Sequence, residues 1–226
     1  WGYTLAFGPD VGGIIGGFEY LGLMGVGPEV FPGTGIPHLA FMVFQLMFAA
    51  ITVALVTGSF AERMKFRALL LFAVLWSTFV YSPLTHWVWG GGWMEQMGFL
   101  DFAGGAVVHI SSGFGALVCA ILVGKRKGLG VEAMPPHNLP MTVLGTGLLW
   151  FGWFGLNAGS ALGANDVAAS AFVATHIAAC AGGLSWMVVE WINQGKPTVL
   201  GVASGIISGL TTITAGAGFL GPFSAL

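Results

Sequence analysis

The sequence predicts an all-α, polytopic transmembrane helix bundle, and three observations carry that prediction. Of its 226 residues 56% are hydrophobic and 7% charged, against roughly 25% charged in an ordinary soluble domain, so no water-facing surface can be built from it. The apolar residues fall into six runs, each close to the roughly 20 residues a helix needs to cross the hydrocarbon core. Glycine supplies 38 residues, and glycine is favoured where membrane helices approach without side chains between them.

The elements follow in chain order. Residues 1–7 read as the tail of an earlier helix. Residues 8–38, with glycines, prolines and the carboxylates Asp10, Glu19 and Glu29, suit a loop outside the bilayer. The runs span 39–60, 68–88, 102–124, 139–161, 168–190 and 198–220. Every basic residue falls after an odd-numbered run: Arg63, Lys65 and Arg67 after the first, Lys125, Arg126 and Lys127 after the third, Lys196 after the fifth. Because Lys and Arg are retained on the cytoplasmic face, runs one, three and five are expected to enter the cell and the others to leave it. The whole chain, 1–226, reads as one membrane domain; it opens at Trp1 without an initiator Met or signal peptide and stops in an apolar run, as an internal stretch would.

Several residues within or beside these runs could carry chemistry. Phe44 and Phe48 stand four apart in the first run, on one helix face with Gln45 and Met47 beside them; spaced aromatics of this kind are ordinarily core packing. Trp87, Trp89 and Trp93 crowd around Gly90-Gly91-Gly92, as an aromatic belt at the lipid headgroups or as a vestibule whose π faces attract a cation. Asp101 directly precedes the third run, where an N-cap carboxylate would accept backbone N–H bonds. His109 lies deep in that run: an ionisable group there marks a pathway or proton relay, or is a neutral imidazole bonded to a neighbouring helix. In the fourth run Asn157 and Ser160 could bond across to a neighbour, or Ser160 could accept a hydrogen bond from a donor-rich solute. His38 and His137 sit at helix–loop junctions, His86 is read as interfacial, and His176 is the other mid-membrane histidine.

The exclusions narrow the function. A net charge of −2 offers no basic patch for nucleic acid. No zinc-like spacing, phosphate loop, nucleophile elbow or dinucleotide fingerprint appears, so no metal, cofactor or catalytic constellation is expected, and transport is favoured over an intramembrane enzyme. Cys119 and Cys180 fall in apolar runs and read as small hydrophobes.

The strings FQLMFAAITVALVTGSFAER, HWVWGGG, DFAGGAVVHISSG, GKRKG, PHNLPMTVLGTGLLWFGWFGLNAGSA and GKPTVLG occur in order across nearly the whole chain, which thereby resembles an ammonium transporter of the Amt/Mep/Rh superfamily, of the bacterial or archaeal Amt type. The resemblance implies an eleven-helix subunit of two inverted five-helix repeats, assembled as a homotrimer in the cytoplasmic (inner) membrane. This chain would cover the end of helix two through helix eight, crossing the repeat boundary at about 124–139. Ammonium and ammonia would be the cargo, and a P-II-type signalling protein is a candidate partner on the cytoplasmic face. Residue by residue, the family's outer cation site matches Trp89, Phe48 and Ser160 with Phe44 nearby, Asp101 matches the aspartate that supports that site, and His109 matches the first of two pore histidines. Two departures stand out: the gate usually pairs two phenylalanines, here Phe48 and Leu156, so that Phe154 or another side chain would complete it; and the partner of His109 would lie past Leu226. An ammonium sensor with a fused signalling domain and an electroneutral gas channel of the Rh type are the other readings of the resemblance.

Overall fold

A computed structural model describes residues 1–226 and is mainly helical. Five helical spans are long and apolar enough to cross a membrane: His38–Ser59, Phe66–Gln96, Gly105–Val123, Leu139–Gly159 and Asp166–Gln194. The chain divides into two compact units, Trp1–Glu132 and Ala133–Leu226.

The first unit opens with α1 (Gly2–Phe7) and a short antiparallel pair, β1 (Asp10–Val11) and β2 (Ile15–Gly16). Gly12 and Gly13 turn the chain between them at φ +66° and +74°, a region that side chains with a Cβ rarely occupy. Then α2 (His38–Val56) buries Phe41, Gln45, Phe48, Thr52 and Val56, a stripe at spacings of three and four that faces the rest of the unit. Lipid-type residues such as Val43, Leu46 and Met47 cover its other side and are exposed.

The second run is one continuous span with a defect in it. Helix α3 (Phe66–Trp76) passes through a π turn at Ser77–Tyr81 into α4 (Ser82–Trp89). Pro83 has no N–H to offer the preceding turn, and the Ser82 hydroxyl donates to the Ser77 carbonyl at 2.9 Å, so the widened turn sits where the ordinary ladder is interrupted. After the short α5 (Trp93–Gln96), a second π turn at Gly105–Ile110 leads into α6 (Ser111–Val123). Two basic connections meet at one end of this unit: Arg63 donates to the carbonyls of Ser59 and Gly124, neutralising the negative ends of two helices, and Arg126 pairs with Glu62 at 2.7 Å. This is the arrangement expected if both connections lie on one face of the membrane.

The second unit holds α7 (Leu139–Gly159), α8 (Asp166–Gln194) and α9 (Val199–Ile213). All three begin at a side-chain cap, with Asn138, Asn165 and Thr198 accepting the N–H of Met141, Ala168 and Gly201. Helices α8 and α9 approach through glycine: a Cβ on Gly209 would lie 2.0 Å from the Ala178 carbonyl oxygen, and one on Gly182 would lie 2.4 Å from that of Gly205. Backbone cannot yield as a flexible side chain can. Gly209→Val is therefore expected to force the pair apart and lower stability by about 1–3 kcal/mol, read as a lower thermal midpoint of the full-length protein; an unchanged midpoint would contradict this packing.

The sixth apolar run departs from expectation. Helix α9 has 15 residues, about 22 Å by helical rise, and ends at Ile213, short of the expected residue 220. Thr214 is fully buried, its hydroxyl donating to Leu210 and accepting the Trp153 indole N–H at 2.8 Å, and the chain then turns through Gly216. Helix α8 runs the other way, past the apolar run to Gln194, because Glu190 bonds both the N–H and hydroxyl of Thr198 and fixes the start of α9.

Candidate functional site

The aromatic residues singled out in the sequence converge within the first unit. Phe48, 1% exposed, lies edge-on to Trp89 with ring centroids 5.4 Å apart and an interplanar angle of 77°. Phe44 is edge-on to Phe48 at 5.0 Å and 86°. Phe44 and Phe48 thus form a chain of rings ending in the half-buried indole of Trp89.

Asp101 fixes that indole from the backbone. The Trp89 Nε1–H donates to the Asp101 carbonyl at 2.7 Å. The Asp101 side chain turns inward, where Oδ1 accepts from the N–H of Gly104 and Gly105 at 2.8 and 2.6 Å, and Oδ2 from Ala106 and Val107 at 2.7 and 3.1 Å. One buried carboxylate satisfies four backbone donors at the start of the helix, where the positive end of the helix dipole also favours it. The N-cap position itself is taken by Gly104, so Asp101 caps from three residues further out than its place in the sequence suggests.

Gly104 is a residue that sequence reasoning passed over. Its φ of +104° suits glycine alone, and a Cβ there would meet Val108 Cγ2 at 2.7 Å and the Trp89 ring at 3.4 Å. The signal was present in the pair Gly104-Gly105, but only the fold shows that the indole needs the space.

His109 is carried by the π turn that follows. Its N–H bonds the Gly104 carbonyl at 3.1 Å, a five-residue closure that rotates the imidazole relative to an ordinary helix. The ring is half-buried and is the one titratable histidine between Gly105 and Val123. Turns of this kind recur at functional sites because they re-aim a side chain at the cost of one regular bond.

Two of the expected residues belong to the second unit. Ser160 follows the last residue of α7 and donates its hydroxyl hydrogen to the Leu156 carbonyl at 2.9 Å, so its oxygen lone pairs remain to accept. Leu156 packs against the core of Trp153, Ala179 and Leu210. Asn157 is fully buried and donates to Thr175 at 2.9 Å, the cross-helix bond expected of it. Phe154 stacks on Phe172 at 4.1 Å, and His176 in mid-α8 tilts against Trp150 and Phe154 with centroids 5.3 and 5.9 Å away.

His86, read as interfacial, is enclosed by protein. Its side chain is fully buried, with Nδ1 2.9 Å from the Ala6 carbonyl and Nε2 2.8 Å from Asp10 Oδ1. Its two neighbours in the Trp cluster brace the same region: the Trp87 indole N–H donates to Ile14 at 2.7 Å and the Trp93 backbone N–H to Gly13 at 3.0 Å.

Comparison with known proteins agrees with the resemblance. The family described as "Ammonium Transporter Family" matches residues 1–226. The chain is 57% identical over its whole length to a Bacillus subtilis protein named "Ammonium transporter", covering 55% of that protein. It is 52% identical to "Ammonium transporter Amt1" of Archaeoglobus fulgidus, over 97% of this chain and 54% of the other. Among solved structures, Saccharomyces cerevisiae Mep2 superposes with a TM-score of 0.92 at 42% identity, over all of this chain and 51% of that one. A structure titled "Sensor Amt Protein" superposes with a TM-score of 0.87 at 30% identity, over 99% of this chain and 57% of that one. The chain spans about half the length of the curated relatives it matches. With a family match from end to end, relatives above half identity and a shared fold of membrane-spanning helices, this chain belongs to the ammonium transporter family.

Proposed function

We propose that the full-length protein carries ammonium across the cytoplasmic membrane, collecting the cation at an outer aromatic site and passing ammonia through a pore lined by His109, with the proton relayed separately. The observation that supports this most is the Trp89 indole, fixed through its N–H by Asp101 and backed edge-on by Phe48, which leaves a π face in a defined orientation. Each such face attracts a nearby cation by about 0.5–2 kcal/mol. That suffices to gather ammonium at a mouth and falls far short of the cost of moving a bare ion into hydrocarbon. Ammonia, being neutral, crosses at a much smaller penalty, so the route through an apolar pore runs by deprotonation.

In this reading Ser160 accepts one ammonium N–H, Phe44 extends the aromatic wall, Phe48 and Leu156 serve as the gate, and Asp101 supports the site without touching the cargo. The protein works as a homotrimer in the bilayer, and the basic connections around Arg63 and Arg126 offer a cytoplasmic docking face for a P-II-type signalling protein. The likeness to the structure titled "Sensor Amt Protein" favours a second reading, in which the bundle binds ammonium to signal. Saturable ammonium flux in liposomes separates the two, since a sensor alone carries none.

The outer site is tested by Trp89→Leu in the full-length protein reconstituted into liposomes. Loss of the π face is expected to reduce selectivity for ammonium over potassium by about threefold to tenfold. An unaltered ion preference would reject the assignment.

A further inference from the structure

We propose that His86, anchored by Asp10, is a positioning residue for the outer aromatic site. The proposal rests on the reading of Trp89 as the ring that collects the cation, and its observation is the pair formed by the buried His86 imidazole and the partly exposed Asp10 carboxylate, 76 positions apart in the chain.

Three segments meet at the His86 ring. Nδ1 reaches the Ala6 carbonyl at the end of α1 at 2.9 Å; a carbonyl only accepts, so Nδ1 carries a hydrogen. Nε2 reaches Asp10 Oδ1 in β1 at 2.8 Å, and the same carboxylate accepts the Gly13 N–H at 2.9 and 3.1 Å. The His86 backbone carbonyl accepts the N–H of both Gly90 and Gly92 at 3.0 Å, which closes the glycine turn immediately after Trp89. With both ring nitrogens and the carbonyl engaged, this one residue joins α1, the β1–β2 turn and the end of α4.

Trp89 depends on that junction. It is the last residue of α4, less than one turn beyond His86, and its only side-chain hydrogen bond runs to Asp101 on the other side. Gly90 packs without clearance on the same point, since a Cβ there would lie 2.0 Å from the Ala6 carbonyl oxygen and 2.6 Å from His86 Nδ1. The indole is thus held between two anchors: Asp101 sets its N–H edge, and His86 sets the backbone from which it hangs. With the carboxylate partly in solvent the pair contributes little net stability, whereas it defines one geometry for the buried ring, and that is the service a binding ring needs.

The test measures ammonium-evoked current of the full-length protein in liposomes, as half-saturating concentration and as saturating current. His86→Gln cannot reach both acceptors, and Asp10→Ala removes the carboxylate that meets both the imidazole and the Gly13 N–H. Each is expected to raise the half-saturating concentration about threefold to tenfold while changing the saturating current by less than about twofold. In a Trp89→Leu background neither is expected to add a further shift, because the ring they position is gone. Wild-type half-saturation in either variant, with the oligomer intact by size-exclusion, overturns the proposal; so does a shift that persists undiminished on top of Trp89→Leu. Where His86→Gln gives no folded protein, Asp10→Ala decides alone. If Trp89→Leu by itself leaves half-saturation unchanged, the failure lies with the cation site and is seen as such before His86 is considered.

Discussion

Replacing His109 with alanine is expected to abolish the ammonium-evoked current of the full-length protein while leaving the folded oligomer intact. The imidazole sits on the π turn Gly105–Ile110, half-buried, in a span whose one other titratable group is the Cys119 thiol. Ammonia can cross an apolar passage, but the proton it leaves behind has no solvent in hydrocarbon and needs a group able to accept and return it. Alanine removes that group while keeping a residue well suited to a helix, so the substitution affects the relay far more than the helix. Electroneutral ammonia flux surviving without current would place the protein with the gas-channel reading; unchanged current would remove His109 from the pathway.

The second large effect is expected at Asp101. Asp101→Ala orphans four backbone N–H groups at the entry to the π turn, each costing about 1–3 kcal/mol if left buried and unpaired. Relaxation of the turn recovers part of that, so a loss on the order of 3–5 kcal/mol is expected, or a fall in thermal midpoint of about 6–20 °C. Asp101→Asn is expected to lie between the two, because its oxygen can serve two donors while its NH₂ faces the other two. Transport falls in both, since the turn that carries Gly104 and His109 and the carbonyl that holds Trp89 move together. A midpoint equal to wild type in Asp101→Asn would show that the carboxylate is not what holds this turn.

The spans were legible in the sequence because lipid imposes one simple requirement, a long apolar run, and five of six runs became full spans. The sixth was misread at its end. Hydropathy stays high through 214–220, but Thr214 spends its hydroxyl on Leu210 and Trp153, and the glycines that follow turn the chain. The π turns were not legible at all: one follows from Pro83 and Ser82, the other from a capping carboxylate and Gly104, and neither alters the apolar pattern.

For the site, type and position were readable and partnership was not. Asp101 looked like a cap, and it is one, although from outside the usual cap position. Phe44 and Phe48 looked like core, and their spacing could not show the indole they lean on. His86 looked interfacial because a histidine beside tryptophans usually is; its partner Asp10 sits in the short strand β1, 76 residues earlier, and only the fold closes that distance. Contacts between distant segments are set by tertiary packing, which no local pattern encodes.

The most direct measurement is an ammonium pulse applied to liposomes holding the full-length wild-type protein, with an equal potassium pulse as control. A positive current that saturates with ammonium and is absent with potassium is the expected result. Equal currents for the two cations, or none with ammonium from an intact oligomer, would contradict selective capture at Trp89 and passage by deprotonation.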